Sequence, residues 1–420
     1  MKHPLILILI CLFCATSQEN IQAQKFKTGA FSDKVKTLQV HPANQWEAAP
    51  IVELNGAGGI VISFDVMEAA PGAYTYTVTH CNADWTPSQL IQSEFMSGFQ
   101  ERYVDDYAPS FNTTMNYVNY RIAFPNEDVT LKVSGNYAVQ VFPEYDDTPV
   151  LCACFSLVER KSDIFMQVTS QTDRGMNNFY QQVHFTLTYG HEVKTPMQDL
   201  KVFVRQNNRA DNEAALVKPL RIQGNQLIYE HIPSLIFEAG NEYRNFEMTT
   251  RQYNGLNIEA IKYYSPYYHV LLYPGRIRAG RSYSCYEDIN GKIFVRTLSG
   301  TDADTEADYY IVHFFLPCEN PYPEAVYILS EAFNNLLDER SKMDYNPKEG
   351  GYEKSVLLKE GYYNYLHVTR KNDKPGGSTA LLEGNYYQTE NEYRVLVYFR
   401  RTGDKYDQLI GTQTVQFRNE

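Results

Sequence analysis

The chain has 420 residues, 43% hydrophobic and 21% charged, a balance that suits a folded globular protein and excludes disorder and a multi-pass membrane protein. Its formal net charge of −12 excludes a nucleic-acid partner, which needs a basic face. Aromatic usage is lopsided, with 34 Tyr and 22 Phe against 2 Trp, and Tyr favours half-buried strands and contact surfaces.

Lys2 opens a positive start, Leu5 to Phe13 is almost wholly apolar, and Ala15-Thr16-Ser17 begins a polar flank. This predicts a secretory signal, residues 1–23, cleaved before Gln24, because the apolar run is too short to span a bilayer. Five cysteines then remain, Cys81, Cys152, Cys154, Cys285 and Cys318. An odd, sparse set is not a disulfide framework, and the five read as small apolar fillers of the interior.

Short β-rich runs follow, separated by Gly, Pro and Asn punctuation. Gly59 to Val66, Tyr74 to His80, Tyr117 to Phe124, Tyr137 to Phe142 and Val150 to Glu159 form a first group. Charged Arg160 to Asp163 marks a boundary. Gln182 to Tyr189, Leu200 to Gln206, Gln226 to Glu230, Tyr243 to Thr249 and Tyr268 to Tyr273 form a second group, closed by Pro274-Gly275 and a basic stretch. Lys292 to Thr297, Tyr309 to Leu316, Glu353 to Leu358, Tyr362 to Thr369, Glu392 to Arg400 and Thr412 to Arg418 form the third. The expected fold class is all-β, with three consecutive immunoglobulin-like β-sandwich domains at 24–159, 160–280 and 281–420 after the signal. An outer-membrane barrel is the rival architecture, but runs such as His313-Phe314-Phe315-Leu316 break the apolar-out, polar-in alternation it requires. Gly135-Asn136-Tyr137 and Gly384-Asn385-Tyr386 each precede an apolar pair of runs, and both read as the closing hairpin of a sandwich. Glu324 to Glu339 fits either a helix or a strand followed by an Asn-rich loop.

The sequence shows no catalytic motif and no nucleotide loop. His80, Cys81 and Asp84 lie close together, as metal ligands do, yet they read better as a strand end running into an Asp-capped turn before Trp85. Asp302, Asp304, Glu306 and Asp308 alternate like a calcium loop, but Ala307 replaces the turn glycine and His313 the bidentate Glu, which favours a solvated loop. No catalytic, cofactor-binding or metal-binding residue is therefore assigned.

One ordered set of residues is far more specific. Tyr76-Thr77-Val78-Thr79-His80-Cys81-Asn82-Ala83-Asp84-Trp85 is followed by Ser88, Phe95, Gly98, Asp106-Tyr107, Ser110, Asn112-Thr113, Tyr117, Tyr120 and Phe124-Pro125-Asn126. This stretch resembles the N-terminal domain of the type IX secretion system plug proteins of Bacteroidota. The resemblance implies a non-enzymatic, periplasmic protein, held at the outer membrane through a protein partner rather than by insertion. The implied partner is the outer-membrane translocon barrel with its accessory subunits, whose periplasmic mouth the plug seals when no cargo fills the pore. It implies no cofactor, no nucleic acid and no small-molecule ligand. The motif residues are expected to hold structure or touch the partner, with Trp85 anchoring the first core and Asp84, Asn112 and Asn126 serving turns.

The third group also resembles a starch-binding-type sandwich module through Val326 to Leu329, Phe333-Asn334-Asn335, Met343, Gly351-Tyr352-Glu353 and Gly361 to Tyr365. That likeness favours strand-then-loop at 324–339 and supplies the alternative function, an exported glycan-binding or glycan-cleaving protein. Leu336, however, stands where such modules place a sugar-stacking Trp.

Overall fold

A computed structural model describes residues 25–99, 101–372 and 374–418. The predicted signal segment lies outside them. The described chain is nearly all strand, with antiparallel pairing dominant and helices of only four residues. No described helix is long and apolar enough to cross a membrane.

The first sandwich packs one sheet, built on Tyr74–Cys81, Gly135–Pro143 and Leu151–Val158, against another built on Val35–Pro42, Ile60–Val66 and Val118–Phe124. Side chains alternate across a strand. In Ile60–Val66 the residues Ile60, Ile62, Phe64 and Val66 therefore enter the core, where they meet Val78, Tyr120, Tyr137 and Phe155. Asp65 falls on the opposite face and yet is wholly buried. Something else must cover that face.

The second sandwich pairs Ser162–Thr169, Tyr180–Tyr189 and Gln226–Tyr229 in one sheet. Its other sheet holds Leu200–Gln206, Asn391–Phe399 and Gln408–Phe417. Tyr393, Val395, Val397, Phe399 and Ile410 share a core with Val183, Phe185, Leu187 and Val204. This corrects the expected linear order. The terminal hairpin closes the second sandwich, and the third is inserted between Ile236–Glu238 and Asn391–Phe399. The hairpin's period-2 pattern specifies that it has a buried face, but not which sheet it completes.

The third sandwich spans Arg244–Met248 to Gly361–Arg370. One sheet holds Ile258–Tyr264, Tyr267–Leu272, Tyr309–Pro317 and Gly351–Lys359, and the other holds Arg244–Met248, Ile293–Val295, Ala325–Leu329 and Gly361–Arg370. The ambiguous stretch is a strand, Ala325–Leu329, followed by a single 3-10 turn, Glu331–Phe333. Arg160 to Asp163, read as a boundary, runs directly into the edge strand Ser162–Thr169.

Candidate functional site

The motif strand Tyr74–Cys81 ends in a turn fixed by its own side chains. The Asp84 carboxylate accepts hydrogen bonds from the Thr86 amide at 3.1 Å and hydroxyl at 2.6 Å. His80 is buried, with Nε2 3.2 Å from the Ser134 carbonyl and Nδ1 3.0 Å from the Ser88 hydroxyl. A carbonyl can only accept, so Nε2 carries the proton and Nδ1 accepts from Ser88. Burial lowers the His80 pKa to about 4, which keeps the imidazole neutral. Gly135, at φ +132°, is required beside it, because a Cβ there would stand 2.6 Å from His80 Nε2.

Trp85 does not anchor the first core. It takes φ +66° and packs, half-buried, on the outer face of the sheet against Phe26, Cys81, Ala138, Cys152 and Cys154. Its carbonyl accepts from the Phe26 amide at 3.0 Å. Cys81, Cys152 and Cys154 are buried as expected of fillers, whereas Cys285 is exposed and Cys318 half-buried. Burial pushes the Cys81 thiol up, away from the reactive thiolate. Among the described residues no group of three His, Cys, Asp or Glu side chains is placed to hold a metal ion.

The motif turn is the seam between the first and second sandwiches. The Asn82 carbonyl accepts from Asn136 Nδ2 at 3.0 Å, and Asn136 Oδ1 accepts from the hydroxyls of Ser156 at 2.7 Å and Tyr398 at 2.9 Å. The Ala83 amide donates to Asp407 at 3.0 Å, and Lys201 Nζ reaches both Asp407 oxygens at 2.8 Å. Ala83 and Val158 pack with Phe203, Leu396, Tyr398 and Leu409 of the second sandwich.

The later motif residues form the seam with the third sandwich. Ser110 accepts from the Tyr117 amide and from the Thr113 hydroxyl, each at 3.0 Å. Asn112 takes φ +59° at the exposed loop tip. That loop presents the Thr114 amide to Asp308 at 2.8 Å, and Tyr117 donates its hydroxyl to the Ala307 carbonyl at 2.8 Å. At the centre lies Asp65. It accepts from Lys359 Nζ and the Tyr309 hydroxyl, both at 2.6 Å, and from Asn119 at 2.8 Å. Lys359 Nζ also donates to the Asp304 carbonyl at 2.7 Å and sits 4.3 Å above the Tyr117 ring. Burial pushes the Asp65 carboxyl up, and the Lys359 charge and its hydrogen bond act against that.

The acidic stretch 302–308 is thus not wholly solvated. Asp302 accepts from the Asp304 amide and the Thr305 hydroxyl, Glu306 accepts from the amides of Thr301 and Asp302, and Asp308 serves the seam. Tyr120 is buried and bonds Gly72 through its hydroxyl, with Tyr107, partly exposed, against its ring. Asp106 is exposed on the edge strand Asp106–Pro109. Pro125 follows a cis peptide, and Asn126 fixes the next turn by accepting from the amides of Asp128 at 3.0 Å and Val129 at 2.7 Å.

The motif therefore divides. His80 to Asp84 fastens the first sandwich to the second, Ser110 to Tyr117 fastens it to the third, and Pro125-Asn126 holds a turn inside it. Sequence reasoning missed Asp65, Lys359, Asn136 and Asp407. For Asp65 the available signal was a charged residue inside an otherwise apolar strand, GIVISFDV.

The third sandwich's likeness to sugar-binding modules fares differently. A Cβ on Gly29 would lie 3.0 Å from Leu336 Cδ1, so Leu336 packs against the first sandwich's opening strand. Asn334 donates to the Leu38 carbonyl at 3.0 Å and Arg340 to the Ala30 carbonyl at 2.7 Å. The position where a sugar-stacking ring is expected is occupied by a contact between sandwiches.

Comparison with known proteins adds two findings. Residues 35–159 match the type 9 secretion system plug protein 1st domain. The crystal structure of a hypothetical protein from Parabacteroides merdae ATCC 43184 is 45% identical, covering 94% of this chain and 100% of that one, with a TM-score of 0.92. No curated protein matches the chain.

Proposed function

We propose that the chain is a type 9 secretion system plug protein, on the match of its residues 35–159 to the 1st domain of that family: a non-enzymatic periplasmic subunit that binds the outer-membrane translocon and seals its periplasmic mouth in the absence of cargo. The observation that carries the reading is the match over residues 35–159, whose motif residues hold three sandwiches in one body. A seal over a wide pore must resist deformation, because any hinge in it is a leak. Buried, hydrogen-bonded seams supply that stiffness. Exposed aromatic side chains such as Phe99, Phe111, Tyr145 and Phe165 supply contact area with little entropy to lose.

The test is co-purification. A tagged copy is expected to bring down the translocon from membranes solubilised in mild detergent, and its deletion is expected to raise outer-membrane permeability to large solutes. A protein recovered wholly unattached from cells that express the translocon overturns the reading.

A further inference from the structure

One open cleft carries positive charge that its own residues do not balance. It lies on the third sandwich, between Arg244–Met248 and the segment 272–278, with a volume of about 470 Å³. Arg244 and Arg278 lie in its wall with Phe246, Leu272 and Tyr365, and Leu256 and Tyr273 stand exposed at its rim. Both arginines are fixed from behind by one carboxylate. Glu383, wholly buried, accepts from Arg244 Nε and Nη2 at 2.9 Å each and from Arg278 Nε at 2.6 Å. It also accepts from the His367 amide at 2.8 Å, and burial keeps the His367 ring neutral. Two guanidinium groups thus face one carboxylate.

Two further acids, Glu242 and Asp288, are held outside the cleft. The Glu242 carboxylate accepts from the Tyr283 hydroxyl and the Glu390 amide, and Asp288 accepts from the amides of Tyr243 and Asn290. Neither lines the cleft. The bonds that fix Arg244 run through Nε and Nη2, and Nη1 makes none among the described residues. A guanidinium held planar and pre-oriented, with a free donor edge and apolar walls, suits a carboxylate on an apolar body. A chain terminus is the polypeptide group that puts both on one residue, and a terminal carboxylate is a group that proteins recognise directly.

We propose that this cleft binds the C-terminal carboxylate of a polypeptide whose last residue is apolar. Arg244 takes the carboxylate, Arg278 braces the site through Glu383, and Leu256, Leu272 and Tyr273 hold the side chain. The proposal stands apart from the plug assignment, and either can fail alone.

The test is a titration of the full-length protein with fluorescently labelled Gly-Leu-Phe bearing a free C-terminus, the same peptide amidated, and octanoate as a plain acid. The free-acid peptide is expected to bind and the amide to bind roughly tenfold more weakly or worse. Leu256→Asp, an exposed rim change, is expected to abolish binding by repelling the carboxylate while leaving the melting temperature unchanged. Arg244→Gln, in protein shown to be folded, is expected to weaken binding by roughly tenfold or more. Equal binding of acid and amide, binding unaffected by Leu256→Asp, or octanoate binding in the absence of peptide binding each overturns the proposal.

Discussion

At the scale of the residue, the tyrosine excess serves two purposes. Tyr117, Tyr309 and Tyr398 are fully buried, and each hydroxyl is spent on a partner across a seam or within it. Tyr145, Tyr263 and Tyr264 stay exposed. Composition foresaw the contact surface but not that much of it would be internal. The motif's local roles were readable, because Asp two residues before Thr and Asn after Pro are turn chemistry. Its long-range roles were not, since Asp407 lies far from Ala83 in sequence. His80 gives a residue-scale prediction. Its folded pKa of about 4 lies below the ordinary 6.5, so the folded state takes up the proton less readily than the unfolded chain. The stability it contributes is fully present above pH 6.5 and is lost as pH falls through 6.5 towards 4, to a limit of roughly 3 kcal/mol. His80→Gln is expected to be less stable near neutrality, with its deficit against the wild type shrinking on acidification. Urea unfolding of both proteins at about pH 7 and about pH 4.5 checks this. A deficit that stays constant with pH excludes the assignment.

At the scale of the element, strand positions were legible and strand partners were not. Alternation and turn punctuation located Ile60–Val66, Leu200–Gln206 and Tyr309–Pro317 to within a residue or two. Val35–Pro42 escaped notice, because its polar Lys36, Gln39 and His41 and its irregular register at Thr37 obscure the period. The terminal hairpin was recognised as a closing hairpin and assigned to the wrong sandwich, since an apolar face is complementary to any apolar sheet. A truncation tests the corrected order. A chain ending at Thr389 removes Tyr393, Val395, Val397, Phe399 and Ile410 from the second core. At about 1.5–3 kcal/mol for each buried side chain, the loss is comparable to the roughly 5–15 kcal/mol that stabilises a domain. Amide hydrogen exchange is expected to show Val183, Leu187 and Leu227 losing protection while Val312, Leu316 and Ile328 keep theirs. Protection lost from the third core and kept in the second refutes the inserted arrangement.

At the scale of the molecule, the seams decide whether three sandwiches behave as one body. Independent domains unfold in separate steps, whereas domains joined by buried polar contacts share a transition when breaking the contact costs more than their stabilities differ. The Asp65–Lys359 pair is the strongest such contact between the first and third sandwiches, because both partners are almost completely buried and each makes further hydrogen bonds. Lys359→Met fills similar space but strands the Asp65 charge in an apolar seam, a change that costs about 3–5 kcal/mol. Adding Asp65→Asn removes the stranded charge and is expected to restore part of the loss. Scanning calorimetry of the wild type is therefore expected to show one transition, and Lys359→Met to show an earlier, separate step as the first and third sandwiches part. The double variant should move back towards a single transition. A wild type that already melts in well-separated steps shows that the seams do not couple the sandwiches, and it removes the mechanical argument for a rigid seal even if binding to the translocon is later demonstrated.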